Sequence, residues 1–413
     1  LERAIGDLFG MMADGSPDMR PWLDHGRWGV AQPLDRRAPV PLRPGTDYRF
    51  LTVEGRGLHQ IPVGPVHAGI IEPGHFRFTA NGEAVARLEE RLGYVHKGIE
   101  SLMAGATLER GSQLAQRTSG DSVVAYGIAF ARAAEAAFGA APPPRAQWLR
   151  ALMAELERIA NHFGDFGAIC NDAAFAVMLA QCGIIRERVL RAARSGFGHR
   201  LMRDCVIPGG VAADLAPGGR EAIEALLDEI RRRLPLLIAL YDNTTSLQER
   251  TVTTGIVKPA LVKQWAPGGF VGRASGRSFD SRRDLAYAPY DRLRFEVPVR
   301  HEGDVNARIW IRIREIEQSV SLIEQIVSGM PAGETRRDLP SAAGEGLALA
   351  EAFRGDVLIW LRLGAGGLIE RCHLRDASWF QWPLLEAAIE GNIVADFPLC
   401  NKSFNCSYSG HDL

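Results

Sequence analysis

WLRALMAELERIANHFGDF, residues 148–166, places apolar side chains three and four positions apart, which predicts a helix with one buried face. That face carries Leu149, Leu152, Met153, Leu156, Ile159 and Phe163. Comparable spacing recurs over residues 83–103, 114–138, 172–197, 218–242 and 306–329. These segments predict a central helical bundle over residues 83–330 and hence a mainly α protein of the α+β class.

The parts on either side of the bundle have a different composition. Residues 1–45 are rich in Pro and Gly and are expected to form a tail. Residues 46–82 contain short apolar stretches broken by Gly and Pro, which predicts a small N-terminal antiparallel sheet. Residues 331–413 are expected to form a C-terminal α+β part, with two strands within 347–372 and a short helix over 382–389.

Composition excludes several classes of function. The chain has 413 residues and a formal net charge of −1, which argues against the broad basic surface of a nucleic-acid-binding protein. No apolar run reaches the roughly 18 residues of a membrane span. The six cysteines are scattered without C-x-x-C spacing, so a disulfide framework is not expected and a reducing compartment is favoured.

GPVHAGIIEPGHFRF, residues 64–78, places His67, Glu72 and His75 on a loop dense in Gly and Pro. Polar groups on such a loop can face a cleft and carry chemistry. They can equally cap the ends of neighbouring strands at a surface. The sequence leaves both interpretations open.

Two histidines lie within predicted helices. His96 and Glu100 are four residues apart and would share a helix face, where they could bind a metal, relay a proton or meet solvent or a partner. His162 stands among apolar helical positions, which favours a hydrogen-bonded core histidine.

RASGRSFDSRRD, residues 273–284, lies in a charged loop expected over residues 270–300. The segment contains Arg273, Arg277, Arg282 and Arg283. Such a segment forms either a solvated surface or a buried ion network that faces a partner, because guanidinium groups bind carboxylates through two parallel hydrogen bonds.

Several blocks of the chain, taken in order, resemble one known family. They are GPVHAGIIEPGHFRF, YVHKGIESLMAG, RAQWLRALMAELERIANH, QERTVTTGIV, ASGRSFDSRRD and GDVNARIWIRIREIEQSVSLIEQIVSGMPAG. The chain resembles the large subunit of group 4 membrane-bound nickel–iron hydrogenases and the homologous quinone-site subunit of respiratory complex I. The resemblance implies the fold of that family. It also makes the 1–45 tail similar to the end of the smaller partner that is often fused in front, and leaves open whether the chain is a trimmed fusion.

The resemblance raises the question of the metal. Hydrogenases of this family hold nickel and iron through two thiolate pairs, in segments of the form R-x-C-G-x-C and S-F-D-P-C-x-x-C. Residues 117–122 read RTSGDS here and residues 403–410 read SFNCSYSG. The four thiolate positions are therefore Ser119, Ser122, Ser407 and Gly410, and hydroxyl groups do not suit these soft metals. We expect no nickel–iron centre and no metal site.

The vacated cavity remains the candidate site. Glu72 matches the proton-relaying glutamate of the family, and His67 and Glu100 are the other candidate catalytic residues. The tyrosine of the complex I quinone site falls on Leu108, and its histidine falls near Glu72 or Pro73. Ser119, Ser122, Leu108 and Ser407 are expected to line the cavity. Polar lining would favour a bound acceptor, whereas filling by Leu108 and aromatic side chains would favour a structural role.

The resemblance implies a subunit of a membrane-associated, redox-driven ion-translocating complex. The expected partners are an iron–sulfur small subunit, the smaller protein often fused in front of this family, and antiporter-like membrane subunits, with no nucleic acid. The chain itself would carry no cofactor, a quinone being the candidate acceptor. It would sit peripherally on the cytoplasmic face of the inner membrane. The alternatives are a quinone-reducing subunit of NADH dehydrogenase type and a purely structural subunit.

Overall fold

The N-terminal part is built on a three-stranded antiparallel sheet in the computed structural model, which describes residues 2–16, 18–26, 28–35, 40–41, 48–67 and 71–413. Parts of the 1–45 tail and residues 68–70 of the 64–78 loop lie outside the described residues. In this sheet β4 (His75–Asn81) lies between β3 (Leu58–Val63) and β5 (Ala84–Arg91). The elements of this part are α1 (Glu2–Phe9), β1 (Val30–Ala31), β2 (Val40–Pro41), β3 (Leu58–Val63), β4 (His75–Asn81) and β5 (Ala84–Arg91).

The prediction of a helix over residues 83–103 is wrong for the first half of this segment, which forms strand β5. The missed signal is Asn81-Gly82, a pair that favours a tight hairpin turn, and Gly82 has a φ of 58°. Buried Glu89, Glu90 and Arg91 end the strand, so it does not alternate between apolar and polar residues. The sheet therefore extends to Arg91, and helix begins only at α2 (Ile99–Met103).

The helical bundle is organised around α5, the helix that contains residues 148–166. Its apolar face is buried, and it packs against α6 (Ala176–Phe197) and α12 (Val305–Gly329). Within the described ranges, no helix combines the length and apolar character that a membrane crossing requires. The elements here are α3 (Leu108–Ala115), α4 (Val123–Ala137), α5 (Pro144–Asp172), α6 (Ala176–Phe197), β6 (Val206–Ile207), β7 (Gly210–Val211), α7 (Gly219–Asp242), α8 (Thr245–Thr251), α9 (Pro259–Trp265), α10 (Gly269–Arg273), α11 (Ser281–Asp284) and α12 (Val305–Gly329).

The single helix expected over residues 114–138 is interrupted. Residues 116–122 form turns between α3 and α4, and Ser119-Gly120 lies within them. Ser and Gly favour turns because the hydroxyl group bonds nearby backbone and Gly has few conformational restrictions. This interruption is the segment in which the family has its first thiolate pair.

The C-terminal part contains three antiparallel strands where two were expected. In their sheet β9 (Gly355–Leu363) lies between β8 (Gly344–Ala352) and β10 (Ile369–Arg375), and the sheet packs on α4. The first reversal uses only Phe353 and Arg354 between the two strands, with Gly355 at a φ of 133°. The elements are β8 (Gly344–Ala352), β9 (Gly355–Leu363), β10 (Ile369–Arg375), α13 (Ser378–Ala388), α14 (Phe397–Phe404) and α15 (Tyr408–Asp412). Helix α14 returns to pack on α5 and α12.

A network of buried charges joins the bundle to the C-terminal sheet. Arg273 contacts Glu315 on α12 at 2.8 Å and Glu351 on β8 at 3.0 Å. Arg282 contacts Glu155 on α5 at 2.9 Å. Burial opposes ionisation of Glu315, but Arg273, His162 and Arg158 together outweigh it and lower the pKa of this carboxyl group. Each of these charges is thus compensated inside the chain.

The network corrects the expectation for residues 273–284. Arg273 and Arg282 are buried and pair within this chain, so they do not face a partner. Arg283 is exposed and pairs with its neighbour Asp284, while Arg277 is half-buried. His162, as expected, is a buried core residue whose Nε2 lies 2.7 Å from Glu315 Oε2.

Replacing Glu315 should destabilise the chain strongly. Glu315→Ala leaves the buried Arg273 without its closest carboxylate, and we expect the free energy of unfolding to fall by about 3–5 kcal/mol. Glu317→Ala is the matched control on the same helix, because its pair with Arg314 is solvent-exposed and its loss should cost less than about 1 kcal/mol. Urea unfolding followed by circular dichroism measures both, and equal losses would contradict the role of the network.

Candidate functional site

The two segments that the resemblance assigns to metal ligands meet in the fold. Ser119, in the turns before α4, and Ser407, which caps α15, have their Oγ atoms 2.9 Å apart. Ser407 Oγ also accepts a hydrogen bond from Gly410 N at 2.9 Å. Residues 288 positions apart in sequence are therefore neighbours, as the family resemblance implies for its thiolate positions.

The serines are held by an ion pair between the half-buried Asp121 and the buried Arg354. Ser119 Oγ donates to Asp121 Oδ1 at 2.8 Å, and Arg354 Nη1 donates to the same oxygen at 2.7 Å. Arg354 Nη1 also lies 3.3 Å from Ser122 Oγ. Burial opposes ionisation of Asp121, but Arg354 outweighs it and lowers the pKa of this carboxyl group. The hydroxyl groups thus bond to a charged pair.

The fourth thiolate position is closed. A Cβ atom added to Gly410 would lie 2.8 Å from Asp376 Oδ2 and 2.9 Å from Ser407 Oγ, closer than van der Waals contact allows. Asp376 is itself fixed, since its Oδ2 accepts from Tyr126 Oη at 2.8 Å and its Oδ1 from Ser378 N at 2.8 Å. A side chain at position 410 would have to displace this carboxylate.

These residues do not fit a nickel–iron centre. Three of the four thiolate positions carry hydroxyl groups that already bond to one another, to Asp121 or to Arg354, and the fourth has no room for a side chain. In the described part of the chain, no three His, Cys, Asp or Glu side chains are grouped so that they could hold a metal ion. Cys406, the neighbouring thiol, is buried with its Sγ 3.9 Å from Gln381 Oε1, and burial raises its pKa.

Glu72 reaches the same C-terminal turn from the other side. Its side chain is half-buried, and Oε2 accepts a hydrogen bond from Ser409 N at 3.1 Å. His67 Nε2 lies 2.7 Å from Gly74 O, and His75 Nδ1 lies 3.4 Å from Gly64 O. Both histidines therefore bond the backbone of their own loop, whereas Glu72 bonds the segment that carries Ser407.

Glu100 and His96 do not form the expected pair, because helix starts only at Ile99. Glu100 Oε1 lies 3.0 Å from His373 Nδ1 and accepts from Leu374 N at 2.9 Å, which ties α2 to β10. His96 is exposed, with Nδ1 2.7 Å from Asp412 O. Leu108 opens α3 and packs, half-buried, against the hydrophobic core. The expected lining set is thus brought together only for Ser119, Ser122 and Ser407.

Three residues at the site were missed by sequence reasoning. Asp121 stands between the two serines of the first segment, and a charged residue inside a former metal motif was a usable signal. Arg354 and Asp376 carried no such signal, because they lie in the turn between β8 and β9 and before α13. Only the packing of the C-terminal sheet on α4 brings them to the serines.

Glu157 on α5 supports the start of α4 directly after Ser122. Its carboxylate accepts from Val124 N at 2.7 Å and from Ala125 N at 3.1 Å. Asn161, one turn further, donates to Asp121 O at 2.7 Å. Burial of Glu157 raises its pKa from 4.5 to about 8 despite these hydrogen bonds. The site therefore adjoins a carboxyl group that titrates near neutral pH.

The chain is similar to known proteins in sequence and in fold. The sequence model of the respiratory-chain NADH dehydrogenase 49 Kd subunit matches residues 172–343. Formate hydrogenlyase subunit 5 of Escherichia coli K12 is 30% identical over 100% of this chain and 74% of that protein. An NADH-quinone oxidoreductase subunit of Dehalococcoides mccartyi (strain ATCC BAA-2266) is 32% identical over 81% of this chain and 92% of that protein.

A solved structure has the same fold. In the membrane-bound sulfane sulfur reductase, an archaeal respiratory membrane complex, one chain superposes with a TM-score of 0.81 and 24% identity, over 86% of this chain and 99% of that one. The fold is thus shared with a subunit of a respiratory membrane complex. The chain belongs to the family formed by the NADH dehydrogenase 49 kDa subunit and the hydrogenase subunits related to it. The predicted family and its mainly helical α+β fold are confirmed.

Removing the charge of Asp121 should destabilise the site. Asp121→Asn leaves the buried Arg354 without its carboxylate, and we expect the free energy of unfolding to fall by about 2–4 kcal/mol. Asp204→Asn is the control, because Asp204 makes a similar two-bond pair with Arg117 at the surface, where the loss should be below about 1 kcal/mol. Urea unfolding distinguishes the two, and a harmless Asp121→Asn would show that the pair does not hold the site.

Glu157 should make stability depend on pH. In the folded chain the carboxyl group of Glu157 keeps its proton up to about pH 8, whereas in the unfolded chain it releases the proton above about pH 4.5. The free energy of unfolding therefore falls as the pH rises through this window. This one group can change the free energy of unfolding by at most about 1.4 kcal/mol per pH unit. Glu157→Gln should flatten the profile between pH 5 and pH 8 by about that amount, and the exposed Glu224→Gln should leave it unchanged. Identical slopes in all three chains would contradict the assignment.

Proposed function

We propose that this chain is the redox-coupling subunit of a membrane-associated complex and has no hydrogen chemistry of its own. The observation that carries the proposal is the state of the four thiolate positions. Ser119, Ser122 and Ser407 are tied into hydrogen bonds, and the carboxylate of Asp376 lies against Gly410. A relative named a hydrogenlyase subunit and one named a quinone oxidoreductase subunit support the redox setting.

The proposed electron donor is an iron–sulfur cluster in a neighbouring small subunit. The energy released by electron transfer is proposed to drive antiporter-like membrane subunits. The chain is proposed to lie peripherally on the cytoplasmic face of the inner membrane. The smaller protein often fused in front of this family is the further proposed partner, on the strength of the similarity seen in residues 1–45. Family membership supports each of these, since the named relatives include subunits of respiratory complexes.

The proposed acceptor binds beside the loop that carries Glu72 rather than among the serines. The serine cluster has its polar groups already bonded, so an acceptor placed there would have to break existing hydrogen bonds. Glu72 is half-buried and has one carboxylate oxygen bonded to Ser409 N, which leaves capacity to exchange a proton with a neighbouring group. A quinone takes up two protons with two electrons, so a proton-relaying carboxyl group suits this class of acceptor.

Metal analysis and acceptor assays of the purified complex test the absence of hydrogen chemistry. We expect no stoichiometric nickel by mass spectrometry and no hydrogen uptake, together with acceptor-dependent oxidation of the iron–sulfur clusters on titration with a short-chain quinone. Replacing Ser119, Ser122, Ser407 and Gly410 by Cys together should still not create a nickel site while Asp376 is present. Stoichiometric nickel in the native complex would refute the proposal, and failure of any acceptor to oxidise the clusters would favour a purely structural subunit.

Replacing Glu72 tests the proton role. Glu72→Gln keeps the size and the acceptor oxygen for Ser409 N but cannot titrate, and we expect turnover with quinone to fall at least tenfold. Assembly of the complex, measured by size-exclusion chromatography, should stay normal. Glu109→Gln, an exposed change on α3, is the control and should behave as the native chain. Full turnover and ion translocation in assembled Glu72→Gln would reject the relay.

A further inference from the structure

A cavity of about 130 Å³ lies away from the serine cluster, between α4, the start of α5 and the residues around Tyr287. Ile128, Arg132 and Glu135 line it from one face of α4, since they are four and three residues apart. Arg150, Ala151 and Tyr290 complete the opposite walls. The proposed redox role uses none of these residues.

Two of the charged groups in the cavity neutralise each other. Arg150 donates to both carboxylate oxygens of Glu135, at 2.6 and 3.1 Å. Glu135 also accepts from Gly209 N at 2.9 Å, and Arg150 Nε donates to Gly210 O at 3.0 Å. This pair is saturated with hydrogen bonds and adds no net charge to the cavity.

Arg132 is different, because no carboxylate in the described part of the chain forms an ion pair with it. Its Nη1 donates to the backbone oxygen of Leu349, and its Cζ lies 4.0 Å from the centre of the Tyr287 ring. Among the described residues, no carboxylate lies within 4.0 Å of it, and no hydrogen bond is made by its Nε or Nη2. Partial burial lowers the pKa of Arg132, because the charged guanidinium loses part of its hydration.

We propose that this cavity is a binding site for a small monoanionic carboxylate, held by Arg132. A planar carboxylate matches the two parallel N–H groups of a guanidinium edge. One unpaired cation matches one negative charge, because the Glu135–Arg150 pair adds no net charge to the cavity. Ile128 and Ala151 offer an apolar surface for a methyl or ethyl group. The volume admits a ligand of a few non-hydrogen atoms.

Acetate is the probe, and ligand-observed nuclear magnetic resonance of the purified full chain with ¹³C-acetate at constant ionic strength is the measurement. We expect saturable binding with a Kd on the order of millimolar. Arg132→Gln should weaken it at least tenfold. Arg145→Gln is the matched control. Arg145 is already paired with Asp214, so its replacement should leave the Kd for acetate unchanged.

A second variant tests the cavity without touching the cation. Ala151→Val adds two methyl groups to the wall opposite Arg132 and should weaken propionate more than acetate. The proposal is overturned if the native chain shows no saturable binding, or if folded Arg132→Gln binds as the native chain does. If Arg132→Gln does not fold, unchanged affinities in Ala151→Val overturn it instead. None of these readouts depends on turnover, so they stand apart from the proposed redox function.

Discussion

The ion pair between Asp121 and Arg354 is the interaction on which the arrangement of the site depends. Arg354 lies in the turn between β8 and β9, and besides Asp121 it donates through Nε to Asn405 O, directly before the C-terminal turn. One buried side chain therefore joins the turns before α4, the C-terminal sheet and the segment that carries Ser407. Because a buried guanidinium is costly without its partners, these three segments are held in one relative position.

The same principle extends through the interior. Glu155, Glu315 and Glu351 are buried on three different elements, and Arg273 and Arg282 compensate them. A charge in a low-dielectric interior tolerates few alternative geometries, so such networks favour one packing of helix against sheet. Arg132 lines a cavity and has no ion-pair partner among the described residues, and this combination is what suggests a ligand of opposite charge.

The two segments that the resemblance assigns to thiolate pairs lie together in the fold. The positions still converge, with the hydroxyl groups of Ser119 and Ser407 in contact. Three of these positions carry hydroxyl groups where the resemblance implies thiolates. At the fourth, Asp376 Oδ2 lies too close to Gly410 for a side chain to be added. The site is neither an open polar cavity nor one filled by Leu108 and aromatic side chains. It is a set of polar groups that satisfy one another.

The sequence alone determined the family, the mainly helical α+β class and the long helices, because these follow from local periodicity and residue identity; the serines and the glycine at the four positions where the resemblance implies thiolates are likewise read directly from the sequence. It failed at Ala84–Arg91, where buried charges mask the alternation of a strand, and at His96 and Glu100, where helix starts later than the spacing suggests. Only the tertiary structure decided which charges pair. Asp121 and Arg354 are 233 residues apart, and their contact depends on how the C-terminal sheet packs on α4, which no local pattern encodes.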